Sequence, residues 1–205
     1  LAMALCRQIL PLDQEAKQLG WNIKIGPNLR RLSALTFGIV GLGRIGTATA
    51  LRAKALGFRV IFHDPYLPNG ADKAVGIARV RTLDELLAQT DVLSLHCPLN
   101  AETKHLIAGR ELSLLKMGAF VVNTARGAII KKDAILTALR ENRIAGAGLD
   151  VIEDEPLRSA EEASTPNLIA SCHAAFCSIE SKIEMRSTSA RIALAAVTGQ
   201  PLENV

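Results

Sequence analysis

Short apolar runs recur along the chain from about residue 36, each followed by a longer stretch in which apolar and polar positions mix. The runs are TFGIVG (36–41), FRVIFH (58–63), DVLSLHC (91–97), AFVVNT (119–124), AGAGLDV (145–151) and NLIASC (167–172). They are rich in Val, Ile and Phe and do not alternate with polar residues, which is the pattern of strands buried on both faces of a parallel sheet. Helices are predicted between them at 45–56, 82–89 and 131–141, with a long one at 178–198. Thr82 with Glu85 three positions on is a capping-box signature for the second of these. Strands alternating with helices predict βαβ units and an α/β fold, a Rossmann-type doubly wound parallel sheet. The polar stretch 153–166 reads as an irregular loop on the active-site side, and the apolar opening LAMALCRQIL as a packed helix.

Composition narrows the function. With 49% hydrophobic and 21% charged residues, the 205-residue chain can bury a core of ordinary size. One Trp, one Tyr and five Phe offer little for stacking bases, and the net charge of +4 comes from scattered Lys and Arg, so no nucleic-acid partner is expected. The opening apolar segment is too short to span a bilayer and lacks a basic flank, so neither a membrane anchor nor a signal peptide is expected. Cys6, Cys97, Cys172 and Cys177 form no CxxC pair and no zinc-like spacing with histidine. They read as reduced thiols of a cytoplasmic protein, and no metal is expected.

The segment FGIVGLGRIG (37–46) carries the first chemical signal. A bare GxGxxG is weak, but here a buried strand leads into Gly41 and a helical pattern opens at Gly46. Gly41 permits the tight turn, Gly43 lets the backbone approach a pyrophosphate, and Gly46 allows close helix–strand packing. The helix N-terminus at Arg44 and Ile45 offers N–H groups to phosphate. Asp64, at the end of the next strand and about 20 residues further on, is placed to accept hydrogen bonds from ribose hydroxyls and to repel a 2′-phosphate. The loop is therefore expected to bind a dinucleotide, NAD rather than NADP. Three further residues fall at strand ends, where such sheets bind ligands: Arg126, Glu155 and His173.

GIVGLGRIG, LHCPL, GAFVVNTARG, GLDVIEDEP and PNLIASCHAA stand in an order and spacing that resemble the D-isomer-specific 2-hydroxyacid dehydrogenases. The resemblance covers nearly the whole chain, including Gly20-Trp21. GFRVIFHDPYL and HAAFCSIESKIEMR look most like the C-terminal-binding-protein branch, which holds corepressors with the dehydrogenase fold. The resemblance implies His173 as general acid/base toward the C2 oxygen, Glu155 as its partner, and Arg126 as the group that binds the 2-keto acid's carboxylate and carbonyl. It further implies Asp150 against the nicotinamide carboxamide, Thr124 and Ala125 beside the nicotinamide, and Cys97 and Pro98 on the adenine side. His96 reads as a structural or cofactor-wall residue, His63 as a rim residue and His105 as an unpartnered surface residue.

Two departures from the family pattern bear on the site. Ser171-Cys172 stands where many members have Thr-Pro before the histidine, and Phe176-Cys177 where the corepressor branch has Trp-Tyr. The chain is also shorter than such proteins, and their separate substrate domain is expected to be largely absent from it. Residues 1–30 then form a linker helix and dimerisation arm, 31–176 the NAD-binding domain, and 177–205 a helix returning toward that substrate domain. The chain, read as part of a longer protein, is expected to bind NAD, to turn over little on its own, and to form a homodimer. The leading reading is an NAD-dependent oxidoreductase acting between a D-2-hydroxy acid and a 2-keto acid. The alternative is an NAD(H)-sensing corepressor scaffold with protein partners and a nuclear location. A truncated inactive paralogue would follow if these residues were the whole gene product. Which hydroxy acid is used is not legible.

Overall fold

The computed structural model describes residues 1–22 and 29–202. The chain divides into two compact units, Leu1–Cys172 and His173–Val205. The first unit is built on a seven-stranded sheet: β1 (Thr36–Val40), β2 (Arg59–His63), β3 (Ala78–Arg79), β4 (Val92–Leu95), β5 (Ala119–Asn123), β6 (Ile144–Leu149) and β7 (Leu168–Ala170). All pairings are parallel, in the order β3-β2-β1-β4-β5-β6-β7. The order reverses between β1 and β4, the switch point at which sheets of this kind open a crevice.

Helices α1 (Ala2–Cys6), α2 (Ile9–Lys17), α3 (Arg44–Ala55), α4 (Ala71–Val75), α5 (Leu83–Gln89), α6 (Gly109–Leu114), α7 (Lys132–Arg140) and α8 (Ala160–Ala163) complete this unit. Two apolar clusters form, one on each face of the sheet. Phe37, Ile39, Val60 and Phe62 pack with Ala50 and Ala53 of α3 and with Cys6 of α1. Val40, Ile61, Leu93, Leu95 and Val121 pack instead with α5, α6 and α7. Every residue of β1 and β4 is buried, as the unbroken apolar runs predict.

The predicted capping box is present: Glu85 N–H donates to Thr82 Oγ1 at 3.2 Å, and Thr82 N–H to Glu85 Oε2 at 3.3 Å. Other expectations need correction. The opening helix is two helices, broken at Gln8, whose φ of 49° is left-handed. Pro11 is the reason, because within one continuous helix its ring would clash with the Arg7 carbonyl; in the first turn of α2 it is tolerated. The stretch 153–166 is not wholly irregular, since Ser159 caps the single turn α8 by accepting the Glu162 N–H at 3.1 Å.

The second unit is a turn followed by α9 (Ile179–Thr198). Ser178 and Ser181 cap it reciprocally, at 2.9 and 2.8 Å, and Gly199 ends it in the left-handed region. No residue of α9 is buried; Ile179, Ile183, Leu194 and Val197 all stand exposed.

Candidate functional site

The parallel register sets Val40 beside both His63 and Leu95, Leu95 beside Asn123, Asn123 beside Leu149, and Leu149 beside Ala170. The residues that follow these ends, namely Gly41, Asp64, His96, Thr124, Asp150 and Ser171, therefore form one row along the C-terminal edge of the sheet. Sequence reasoning singled out most of that row one motif at a time; the sheet brings its members together.

Gly41 has a φ of +86°, and a methyl group there would stand 2.9 Å from the Cys97 nitrogen. At Gly46 a methyl group would meet the Gly41 carbonyl oxygen at 2.1 Å, so the turn and the first turn of α3 are in direct contact. Gly43 is different: nothing of the protein lies within 4 Å of where its Cβ would be. It is also the N-cap of α3 and supplies no side chain to the helix end. The first N–H groups of a helix have no partner within it. Those of Arg44, Ile45 and Gly46 thus open toward a clear approach, with the positive end of the helix dipole behind them.

Asp64 accepts the Leu42 N–H at 2.9 Å on one carboxylate oxygen and the Tyr66 N–H at 3.0 Å on the other. Each oxygen keeps a further lone pair for a hydroxyl. Arg79 binds the Asp64 carbonyl at 2.5 Å and the Leu67 carbonyl at 3.0 Å, holding the β2–α4 loop, while Tyr66 OH bonds Glu102 across to the loop after β4. Cys97 and Pro98 open that second loop. His96 is largely buried, with Nε2 2.9 Å from Ser94 Oγ, and burial pushes its pKa down to about 4, so it is neutral near pH 7. His63 lies 3.3 Å from the Val80 carbonyl at the edge of the row.

After β5 the fully buried Asn123 holds the turn by donating to the Arg126 carbonyl at 2.9 Å and accepting the Ala125 N–H at 3.0 Å. The Asn123 carbonyl in turn accepts the Asp150 N–H at 2.9 Å. Asp150 is buried and takes a hydrogen bond from Ser171 Oγ at 2.7 Å. Sequence reasoning missed both Asn123 and Ser171 as site residues. The available signal was a polar residue closing an apolar run. Arg126 is exposed, and its Nη1 donates to its neighbour's carbonyl at 2.6 Å. Glu155 accepts the Ile152 N–H at 3.2 Å. His173, in the second unit, is exposed, has a φ of 51°, and meets Phe176 edge-to-face at 6.1 Å between ring centres.

His105 is not the unpartnered surface residue expected. Its Nε2 lies 2.5 Å from Glu153 Oε1, a partner that its sequence neighbourhood could not disclose. A hollow of about 630 Å³ between α6 and α7, lined by Leu112, Met117, Thr137 and Arg143 among others, lies toward the starts of β5 and β6, away from the row. Among the described residues no group of His, Cys, Asp and Glu could hold a metal ion, and no helix is long and apolar enough to cross a membrane.

Residues 1–175 match the D-isomer specific 2-hydroxyacid dehydrogenase, NAD binding domain. The chain belongs to this family. A glyoxylate reductase of Aeropyrum pernix is 37% identical over 100% of this chain and 63% of its own length. The crystal structure of a D-lactate dehydrogenase from Treponema pallidum superposes with a TM-score of 0.89 at 31% identity, covering 98% of this chain and 64% of that one. A D-lactate dehydrogenase from Aquifex aeolicus, complexed with NAD and lactic acid, gives 0.85 at 31% identity over 96% and 63%. The chain thus spans less than two thirds of these relatives. It is similar to the part of them that binds NAD, and its open Gly43 approach and the Asp64 carboxylate beside the turn fit that cofactor.

Proposed function

We propose that the protein is an NAD-dependent oxidoreductase interconverting a D-2-hydroxy acid and a 2-keto acid. The observation that carries this reading is the row of strand ends, which sets the glycine turn, Asp64, the Arg126 turn and Asp150 on one edge of one sheet. Gly41, Gly43, Arg44, Ile45, Gly46 and Asp64 would hold the pyrophosphate and ribose. Cys97 and Pro98 would border the adenine, and Thr124, Ala125 and Asp150 the nicotinamide. Bound NAD supplies a hydride acceptor, and NADH a donor.

The chain's own residues do the rest. Arg126 presents a planar guanidinium that binds the substrate carboxylate and polarises the C2 carbonyl. His173 gives a proton to the C2 oxygen during reduction and removes it during oxidation. Glu155 would serve as the carboxylate partner of His173. Residues outside this chain would complete the cleft and choose the acid, so the chain alone binds NADH but turns over slowly. The exposed Trp21 and α2 support a homodimer, and four free thiols support a cytoplasmic location.

A corepressor-type NAD sensor is the second reading, favoured only by the local likeness of 57–67 and 173–186 to that branch. The named relatives are reductases and dehydrogenases, which supports the enzyme. Full-length protein assayed with NADH and glyoxylate or pyruvate tests this. His173→Ala should abolish reduction and leave NADH affinity nearly unchanged. Equal loss of both would make the histidine structural, and an inert wild-type protein that still dimerises with NADH would favour the sensor.

A further inference from the structure

Three segments beneath the Arg126 turn are tied to one another. His105 has a left-handed φ of 54°, and its N–H donates to the Ala128 carbonyl at 2.8 Å. Two residues on, the fully buried Ile107 donates to the Ile129 carbonyl at 3.1 Å and accepts the Lys131 N–H at 3.0 Å. The loop after β4 therefore runs alongside 128–131 as a short parallel bridge. The third segment, after β6, comes equally close: a methyl group on Gly127 would stand 2.2 Å from the Ile152 carbonyl carbon and 2.6 Å from the Glu153 nitrogen.

Glu153 links all three. Its Oε1 takes the His105 ring nitrogen at 2.5 Å and its Oε2 accepts the Lys132 N–H at 3.2 Å. Burial alone would raise its pKa. The His105 and Lys132 hydrogen bonds, with the charges of His105 and Lys104, outweigh burial and hold the carboxyl below its usual range. The Lys132 ammonium is committed elsewhere, to Glu162 at 2.9 Å, so Glu153 meets Lys132 through the backbone. Both side chains of the His105–Glu153 pair are partly exposed, at 36% and 21%. Exposed pairs of this kind add little to global stability. This pair, however, joins the loop after β4 to the loop after β6 that bears Glu155, and both are held against the Arg126 turn, through His105 N–H to the Ala128 carbonyl and Lys132 N–H to Glu153.

We infer that His105 and Glu153 are positioning residues, whose hydrogen bond, extended through Glu153 to the Lys132 N–H, sets the Arg126 turn against the Glu155 loop. The inference rests on the proposed roles of Arg126 and Glu155. A displacement near 1 Å at such groups costs on the order of a hundredfold in rate. The glycine turn and Asp64, proposed to hold the pyrophosphate and ribose, lie at the other end of the row, so most of the NADH affinity should survive a shift of the nicotinamide-side turns.

The test measures kcat and KM for glyoxylate and pyruvate, with Kd for NADH, on full-length wild type and four variants. His105→Ala and Glu153→Ala should lower kcat/KM by roughly ten- to a hundredfold, with a raised KM because Arg126 binds the carboxylate, while Kd for NADH stays within about twofold. Glu153→Gln keeps an acceptor for Lys132 N–H and a donor for the imidazole, and should recover to within about threefold of wild type. Two outcomes overturn the inference: Ala variants with wild-type kcat/KM, or a Gln variant as weak as the Ala variant. A parallel fall in NADH affinity would overturn it too, by showing general collapse. Arg126→Ala separates the two levels. If it is crippled while His105→Ala is normal, only this inference fails; if it reduces keto acids normally, the reading of the site fails first and this inference with it.

Discussion

The Asp64 carboxylate accepts the Leu42 N–H at 2.9 Å, tying the end of β2 to the middle of the glycine turn. The residue proposed to meet a ribose thus also holds the loop proposed to meet the pyrophosphate. Asp64→Ala should weaken NADH binding by about 1.5–3 kcal/mol, the worth of hydrogen bonds to a charged group, or roughly 10- to 150-fold in Kd. It should also narrow the preference for NADH over NADPH, because the repulsion of a 2′-phosphate goes with the charge. Asp64→Asn should restore part of the NADH affinity by keeping an acceptor for Leu42, and less of the discrimination. Parallel fluorescence titrations with both cofactors check this; an unchanged ratio for both variants would remove Asp64 from the ribose site.

The two later glycines of the turn should respond in opposite ways to alanine. Gly46→Ala pushes a methyl group against the Gly41 carbonyl at 2.1 Å and must shift α3 or the turn, at a cost of about 1–3 kcal/mol in stability. Gly43→Ala meets nothing of the protein within 4 Å and has a φ of −73°, which alanine adopts freely. It should melt within a few degrees of wild type and yet lose NADH affinity at least tenfold. Thermal melts beside NADH titrations decide the point, and a Gly43→Ala variant that binds NADH normally would mean that no phosphate approaches there.

The dimer expectation rests on an apolar arm. Trp21 and Leu19 are 94% and 96% exposed, and Ile9 and Leu10 of α2 stand half out of the protein. Burying an indole contributes about 2–3 kcal/mol and a homodimer carries two, so Trp21→Ser should raise the dimer dissociation constant by at least roughly 30-fold. Sedimentation across a micromolar series should show the wild type above the 21.9 kDa of a single chain and the variant shifting toward it. A wild type that sediments as a single 21.9 kDa species would end the proposal.

How much of this was legible in the sequence depends on the length of the signal. Six of the seven strands announce themselves as apolar runs, because burial on both faces leaves no polar alternation to confuse them. The seventh, Ala78–Arg79, is two residues long and leaves no pattern. The same holds for the single turns α4 and α8, whose capping signals compete with every Ser and Gly of a polar loop. The glycine turn was readable because its requirements are local: a positive φ at Gly41 and a contact five residues away. His105 was not, because its partner Glu153 lies 48 positions along the chain and meets it only through the β4 and β6 loops. Asn123 was readable as buried but not as the clamp of the Arg126 turn, since that role depends on which carbonyl its amide faces.

Two buried groups should divide the acid side of the stability curve into separate windows. Burial lowers the His96 pKa from 6.5 to about 4. Between those values the unfolded chain binds a proton that the folded chain refuses, so stability rises with pH there. The contribution is complete above pH 6.5 and is lost as pH falls toward 4, a difference of about 3 kcal/mol. Asp91 acts lower. Burial alone would raise its pKa, but hydrogen bonds from Lys116 at 2.8 Å, the Thr36 N–H at 2.8 Å and Arg30 at 2.8 Å leave it lowered. Its contribution is present above the unfolded value of 3.8 and is lost as pH falls below it. His96→Asn should therefore flatten the unfolding free energy between pH 6.5 and 4 and leave the steeper loss below 4 in place. Asp91→Asn should do the reverse, flattening the curve below pH 4 while costing about 1–3 kcal/mol at pH 7, where the carboxylate's charged hydrogen bonds are missing. Urea midpoints taken at half-unit steps from pH 3 to 8 separate the two. If His96→Asn keeps the wild-type slope between pH 6.5 and 4, another group carries that proton, and the neutrality assigned to His96 beside the glycine turn falls with it.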